Sequence, residues 1–415
     1  FPFLLNGTKP LGGTSKAPKN LHSFCGSFVN LVYQVASGFA GAVATVEFLL
    51  YFDYFAKKTY GADYLTTNKK DIEQSLQGVV YALNQPASAR GNQSVFWNIS
   101  VLDRHYFEHL FGTFHFPDGS QVQYNGSFRA LQYLFMEWFR KEREKELLTY
   151  PVLTASMLID DEGTPVDTEF AEMCAEEMAK GLSFFVYESK SVDSLASCCR
   201  LRNELSDNTF SYTLGAGGVS TGSVQVITLN MNRLVQQRED TVSDVVSRVH
   251  KYLLAHRAVI VDYMNSGLLP AYTAGFINID KQFLTVGING MLEASEFLHG
   301  KPDIDFYRDT LKTIYLLNKE DGQRYKVKYN TEFVPAENLG VKNAKWDKED
   351  GLVVPRDCYN SYFFPVESSE YSIIDKLDMH GTRTTAFLDG GAACHLNLAQ
   401  LLTKKQAYKL MCLAG

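Results

Sequence analysis

The stretch VGINGMLEASEF, residues 286–297, changes its period in the middle. Residues 276–291 (FINIDKQFLTVGINGM) alternate as an extended strand does, and EASEFLHG from Glu293 onward starts a helix. A strand running straight into a helix is the unit of an α/β fold. It also sets Asn289 and Glu293 four residues apart at the junction, so both can face one space. An amide that donates beside a carboxylate that accepts can hold a vicinal diol. The plain alternative is that Glu293 is a first-turn acid favoured by the helix dipole.

Working outward, the same alternation recurs. Helices are predicted over 68–85, 103–110, 126–147, 166–181 and 239–268, and strands at 89–100 (after a Gly/Asn turn), TASMLI, LSFFVYES and SVQVITLNMNRL. Residues 31–58, rich in glycine and alanine, read as one long and mostly buried helix ending at Lys57 and Lys58, with Gly38 and Gly41 permitting close helix packing. No linker of Pro, Ser or Gly type divides the 415 residues, so a single α/β domain over 1–415 is expected, with an extensive or closed sheet.

Hydrophobic residues make up 45% and charged residues 21%, a globular composition. Forty basic against 47 acidic residues give a net charge of −7, which argues against a nucleic-acid partner. The longest apolar run, GFAGAVATVEFLLYF (38–52), is broken by Glu47 and falls short of a membrane span, and no signal peptide precedes it. Seven cysteines, an odd number without a CxxC, suit a reduced cytoplasmic protein, in which the four N-x-S/T sequons at Asn6, Asn92, Asn98 and Asn125 carry no meaning.

The cysteines pose the sharpest question in SLASCCRLRNELSDN (194–208), where Cys198 and Cys199 adjoin Arg200. A thiol in a loop between two strands can be a nucleophile, a radical relay or a packing residue, and no histidine motif supplies a base. GAGGVSTG (215–222) has the glycines of a phosphate loop without its order and reads as a turn. VPAENL (334–339) follows a probable strand, so Glu337 and Asn338 stand either at a ligand-presenting edge or at a helix cap. LDGGAACHLNL (388–398) and RDCYNSYFFP (356–365) are unusual without naming a reaction.

Eight stretches in order, PKNLHSFCGSFVNLVYQVASGFAGA, GNQSVFWNIS, SCCRLRN, VITLNMNRL, VGINGMLEASEF, VPAENL, CYNSYFFP and DGGAACHLNL, resemble the class III anaerobic ribonucleotide reductases, which are glycyl radical enzymes. The similarity covers nearly the whole chain. It implies a ten-stranded α/β barrel of two halves with a finger loop through its centre, and a thiyl radical on Cys199 at the loop tip, beside Cys198. It implies reduction of ribonucleoside triphosphates for DNA synthesis, with Asn289 and Glu293 serving the ribose hydroxyls. Phosphates are assigned to the GNQS turn (Gln93, Ser94) and to Ser197, and Glu337 and Asn338 also join the substrate site.

The resemblance further implies formate, or in some branches a redoxin, as reductant, Mg-nucleotide effectors (ATP and deoxynucleotides), a radical-SAM activating enzyme and a homodimer, with 31–58 either its interface or a core helix against the barrel. The R-V-x-G-Y radical motif, the four-cysteine zinc site and the nucleotide-binding cone are not among these residues, so they are expected outside the given chain. The second active-site cysteine is expected before Phe1, leaving Cys25 and Cys198 as substitutes. A glycyl radical enzyme of pyruvate formate-lyase type and a catalytically silent nucleotide-binding dimer are the competing readings.

Overall fold

A computed structural model describes residues 2–87, 91–192, 194–196, 202–204, 222–333, 337–398 and 400–415. Its framework is two parallel sheets. Strands β1 (Val43–Ala44), β2 (Trp97–Leu102), β3 (Val152–Leu158) and β4 (Phe185–Ser189) form the first in sequence order. β5 (Ser194–Ala196) and β6 (Arg202–Glu204) pair antiparallel, Leu195 opposite Asn203. β7 (Ser223–Asn230), β8 (Phe283–Asn289) and β9 (Lys328–Phe333) form the second parallel sheet, with Asn230 opposite Asn289 and Gly287 opposite Glu332.

Parallel strands need helical crossovers, and the predicted helices supply them. Lys69–Asn84, Arg104–Phe111, Gly126–Arg143, Thr168–Ala179 and Val242–Asn265 all form within a few residues of the expected bounds. The 22-residue helix Ile304–Tyr325 connects β8 to β9 and was not picked out from periodicity. The extended reading of 276–291 and of 223–234 is too long. A 3₁₀ turn occupies Ile279–Lys281, and β7 ends at Asn230, whose side chain caps the helix Met231–Gln237.

The helix expected over 31–58 is not one helix. Leu21–Ser37 ends at Gly38, the chain extends as β1, and a second helix runs Phe48–Tyr60. Pairing decides this: Val43 N–H donates to Phe96 O at 2.8 Å, Thr45 N–H to Asn98 O at 3.0 Å, and Trp97 Nε1 to Thr45 Oγ1 at 2.8 Å. Glycines cost helix stability and a β-branched valine suits a strand, so a place beside β2 outweighs helical continuity. Gly38 and Gly41 therefore serve a chain break, not a helix contact. Among the described residues no helix is long and apolar enough to cross a membrane.

Each sheet has two unlike faces. On β2 and β3, Trp97, Ile99, Val101, Leu153, Ala155 and Met157 enter an apolar core, where Trp97 meets Phe28 and Phe48 at ring distances of 5.9 and 5.3 Å. On β8, Leu284, Val286 and Ile288 pack against Val246, Leu253, Leu311 and Ile314. Buried His250 pins that second core. Its ring stacks on Tyr329 at 4.0 Å while Nδ1 lies 2.8 Å from Asp321 and Nε2 2.8 Å from Asn318.

The opposite faces are also buried, yet polar: Asn98, Ser100, Thr154 and Ser156 on the first sheet, Thr285, Asn289, Asn330 and Glu332 on the second. Burying such groups is costly unless they are satisfied, and some satisfy one another, Thr285 Oγ1 donating to Asn330 Oδ1 at 2.7 Å. Asn98 Oδ1, Ser100 Oγ, Ser156 Oγ and Asn330 Nδ2 have no partner among the described residues. The second sheet gains an extra backbone neighbour, since Gly390 N–H donates to Thr331 O at 2.8 Å and Phe333 N–H to Gly391 O at 3.1 Å. A side chain at position 390 would meet Thr331 O at 2.6 Å, which accounts for glycine there.

Candidate active site

β8 delivers Asn289 at its carboxyl end, the end at which open α/β sheets present ligands. Gly290 follows in the left-handed region, φ +73°, and the helix Met291–His299 begins at once. That single residue makes the turn tight enough for Glu293 to lie in the first helical turn. Asn289 and Glu293 are both fully buried.

Each is held by half of its polar head. Asn343, on the helix Glu337–Glu349, donates from Nδ2 to Asn289 Oδ1 at 2.9 Å. This leaves Asn289 Nδ2, a donor, without a partner among the described residues. Glu293 Oε1 accepts from Arg356 Nη1 and from Asn360 N–H at 2.9 Å, and Oε2 is left without a partner. Burial raises the Glu293 carboxyl above its ordinary range, and the Arg356 guanidinium and the Asn360 N–H partly offset that rise. A free donor and a free acceptor thus stand at one strand end.

Both supports hang on Asp347, which is fully buried. Its carboxylate accepts from Asn230 Nδ2 at 3.0 Å, Asn232 Nδ2 at 3.3 Å, Arg233 Nε at 2.7 Å and Tyr359 OH at 2.6 Å. Asp347 shares its helix with Asn343, and Tyr359 precedes Asn360. One carboxylate therefore ties the end of β7 to both elements that hold the Asn289 and Glu293 side chains.

We expect Asn343→Ala to lower kcat/KM about tenfold to a hundredfold, the scale of one buried hydrogen bond plus an amide free to rotate. Steady-state kinetics beside a thermal melt checks it. A lowered Tm with unchanged kcat/KM would reduce Asn343 to a packing residue.

The other sequence-predicted positions fare differently. Asn338 lies exposed in the first turn of Glu337–Glu349, after β9, and Glu337 opens that helix. Gln93 and Ser94 precede β2, at the amino end of the first sheet. Gln93 is exposed and Ser94 Oγ donates to Asn84 O at 2.7 Å. Ser197, Cys198 and Cys199 stand in sequence between the paired strands β5 and β6 and lie outside the described residues, as do residues 215–221. Cys25 packs half-buried against the first core, and burial pushes its thiol up to about 12. Asn343, Asp347, Arg356, Tyr359 and Asn360 were not predicted as site residues, although the last three sit in the stretch RDCYNSYFFP that stood out.

The profile of the family described as anaerobic ribonucleoside-triphosphate reductase matches residues 2–413. The chain belongs to that family. It is an oxidoreductase of that class, reducing ribonucleoside triphosphates, and not a ketoacid lyase.

Solved structures agree with this assignment. The anaerobic ribonucleotide reductase from Thermotoga maritima in complex with dATP and CTP superposes at a TM-score of 0.87 with 27% identity, covering 100% of this chain and 70% of that one. The same enzyme with glycerol in the active site gives 0.86 at 27%, covering 100% and 69%. With dATP bound in the specificity site it gives 0.85 at 27%, covering 100% and 72%. No curated protein matches the chain. The α/β class expected of this reductase is the one observed.

Proposed function

We propose that this reductase presents a ribonucleotide to Cys199 with Asn289 and Glu293 at the ribose. The observation that carries the reading is the pair of half-satisfied buried side chains: Asn289 Nδ2 can donate to one hydroxyl while Glu293 Oε2 accepts from another. By family resemblance the two sheets close as halves of a ten-stranded barrel with a finger loop. The buried polar faces support that closure, because a lumen holding substrate needs polar walls, and the pairing of β5 with β6 on either side of the cysteine stretch suits a loop.

In this reading a glycyl radical on a glycine outside these residues would take the hydrogen atom of the Cys199 thiol, breaking the S–H bond and forming the glycine Cα–H bond. The Cys199 thiyl takes the 3′-hydrogen, so one C–H bond breaks and one S–H bond of comparable strength forms. Glu293 then accepts a hydroxyl proton, and Asn289 fixes the ring by donating to the neighbouring oxygen. Loss of the 2′-hydroxyl as water needs acid help, which a carboxyl raised by burial can give once it has taken that proton. The full burial of Asn289 and Glu293 would keep bulk water from the ribose.

Formate as reductant, zinc, Mg-nucleotide effectors, a radical-SAM activating enzyme, a homodimer and a cytoplasmic location belong to the same proposal. Among the described residues no group of three or more metal-ligating side chains stands together, and no step above runs through a metal. Asn338, at the strand end shared with Asn289, is proposed at the substrate edge together with Glu337. Ser197, Gln93 and Ser94 are kept as candidate phosphate contacts.

The test compares CTP with 2′-deoxy-CTP binding to the unactivated protein by calorimetry. The wild type should prefer the ribonucleotide, and Asn289→Ala with Glu293→Gln should erase most of that preference, about tenfold or more. An unchanged preference would remove both residues from the ribose.

A further inference from the structure

Arg356 opens RDCYNSYFFP, the stretch whose Asn360 N–H also holds Glu293 Oε1. Its guanidinium is shared between two carboxylates on one helix. Nη1 donates to Glu293 Oε1, while Nη2 lies 2.8 and 2.7 Å from the two oxygens of Glu296. The i, i+3 spacing of Glu293 and Glu296 puts both on the face of Met291–His299 that meets the fork.

We infer that Arg356 is a positioning residue for the reductase reaction, holding Glu293 ionised with Oε2 turned to the substrate, and that Glu296 anchors the guanidinium for this task. The inference rests on the reading of Glu293 as the ribose acceptor and deepens it.

An unpaired carboxylate with no exposure would take up a proton to escape its desolvation penalty. Among the described residues the cation bonded to Glu293 is Arg356. The other groups facing it do not replace that charge. Glu296 is itself an acid, and burial raises Tyr307 and Tyr359, with Glu293 adding to each rise, so both phenols stay neutral. The Asn360 N–H fixes the same oxygen that Arg356 does. Tying Oε1 twice leaves the carboxyl one orientation, with Oε2 as its open acceptor. Lysine could not reproduce this arrangement, because a single ammonium cannot serve two carboxylates in a planar fork.

The experiment measures, from pH 5 to 9, the ratio of CTP to 2′-deoxy-CTP affinity for the unactivated protein, with dATP held constant. The ratio cancels titration of the nucleotide phosphates. Removing a favourable cation raises the Glu293 pKa, so the acid limb of the ratio should move to higher pH. In Arg356→Gln we expect a shift of about one pH unit. Arg356→Lys should restore part of the wild-type midpoint. Glu293→Gln should abolish the limb, and adding Arg356→Gln to it should change nothing further. If Arg356→Gln weakens binding equally at every pH, with the midpoint unmoved, Arg356 is a structural residue and the inference falls. If the limb survives in Glu293→Gln, the ribose reading of Glu293 fails instead.

Discussion

Cys199→Ala is expected to abolish ribonucleotide reduction while leaving nucleotide affinity where it was. A methyl group cannot carry an unpaired electron at an energy matched to the 3′ C–H bond, so the loss should exceed about 10⁴-fold, or more than ~5 kcal/mol of barrier. Cys199→Ser keeps the size and should fail as completely, because the O–H bond is much stronger than the S–H bond and would leave the abstraction badly mismatched. Anaerobic turnover normalised to radical content, beside CTP binding by calorimetry, separates chemistry from binding. Cys198→Ala is the control, since its thiol is the adjacent candidate. Turnover retained in Cys199→Ala and lost in Cys198→Ala would move the radical to Cys198.

Asp347→Ala is expected to give the largest stability loss of any single substitution considered. The carboxylate is fully buried with four side chains donating to it, among them the Arg233 guanidinium at 2.7 Å. Deleting one partner of such a pair strands the others and costs about 3–5 kcal/mol. Asp347→Asn should cost less, because the shape and one acceptor remain. Denaturant unfolding monitored by circular dichroism gives the magnitude. A loss below about 1 kcal/mol for Asp347→Ala would mean that the Arg233, Asn230 and Tyr359 groups find water or each other. Because Asp347 fastens the elements bearing Asn343 and Asn360, ribonucleotide preference should fall along with stability.

Local pattern carried much of this reductase. The strand-to-helix junction at 286–297 was legible because alternation and helical spacing are short-range, and the four-residue interval between Asn289 and Glu293 survived folding unchanged. The adjacent cysteines and the order of eight stretches pointed to the family without coordinates. What the sequence determined alone is therefore the α/β class, the bounds of most crossover helices and which residue types sit at the carboxyl end of β8.

Tertiary structure decided the remainder. Residues 31–58 have the composition of one helix, yet Val43 and Thr45 pair with a strand more than 50 residues away, and no local window registers that partner. Asp347 reaches β7 across more than a hundred residues, and Arg356 reaches Glu293 across 63. Hydrogen-bond completeness is likewise a property of the folded molecule. That Asn289 and Glu293 each keep one polar atom open, while Asn343, Arg356 and Asn360 occupy the other, follows only from contacts that chain distance conceals.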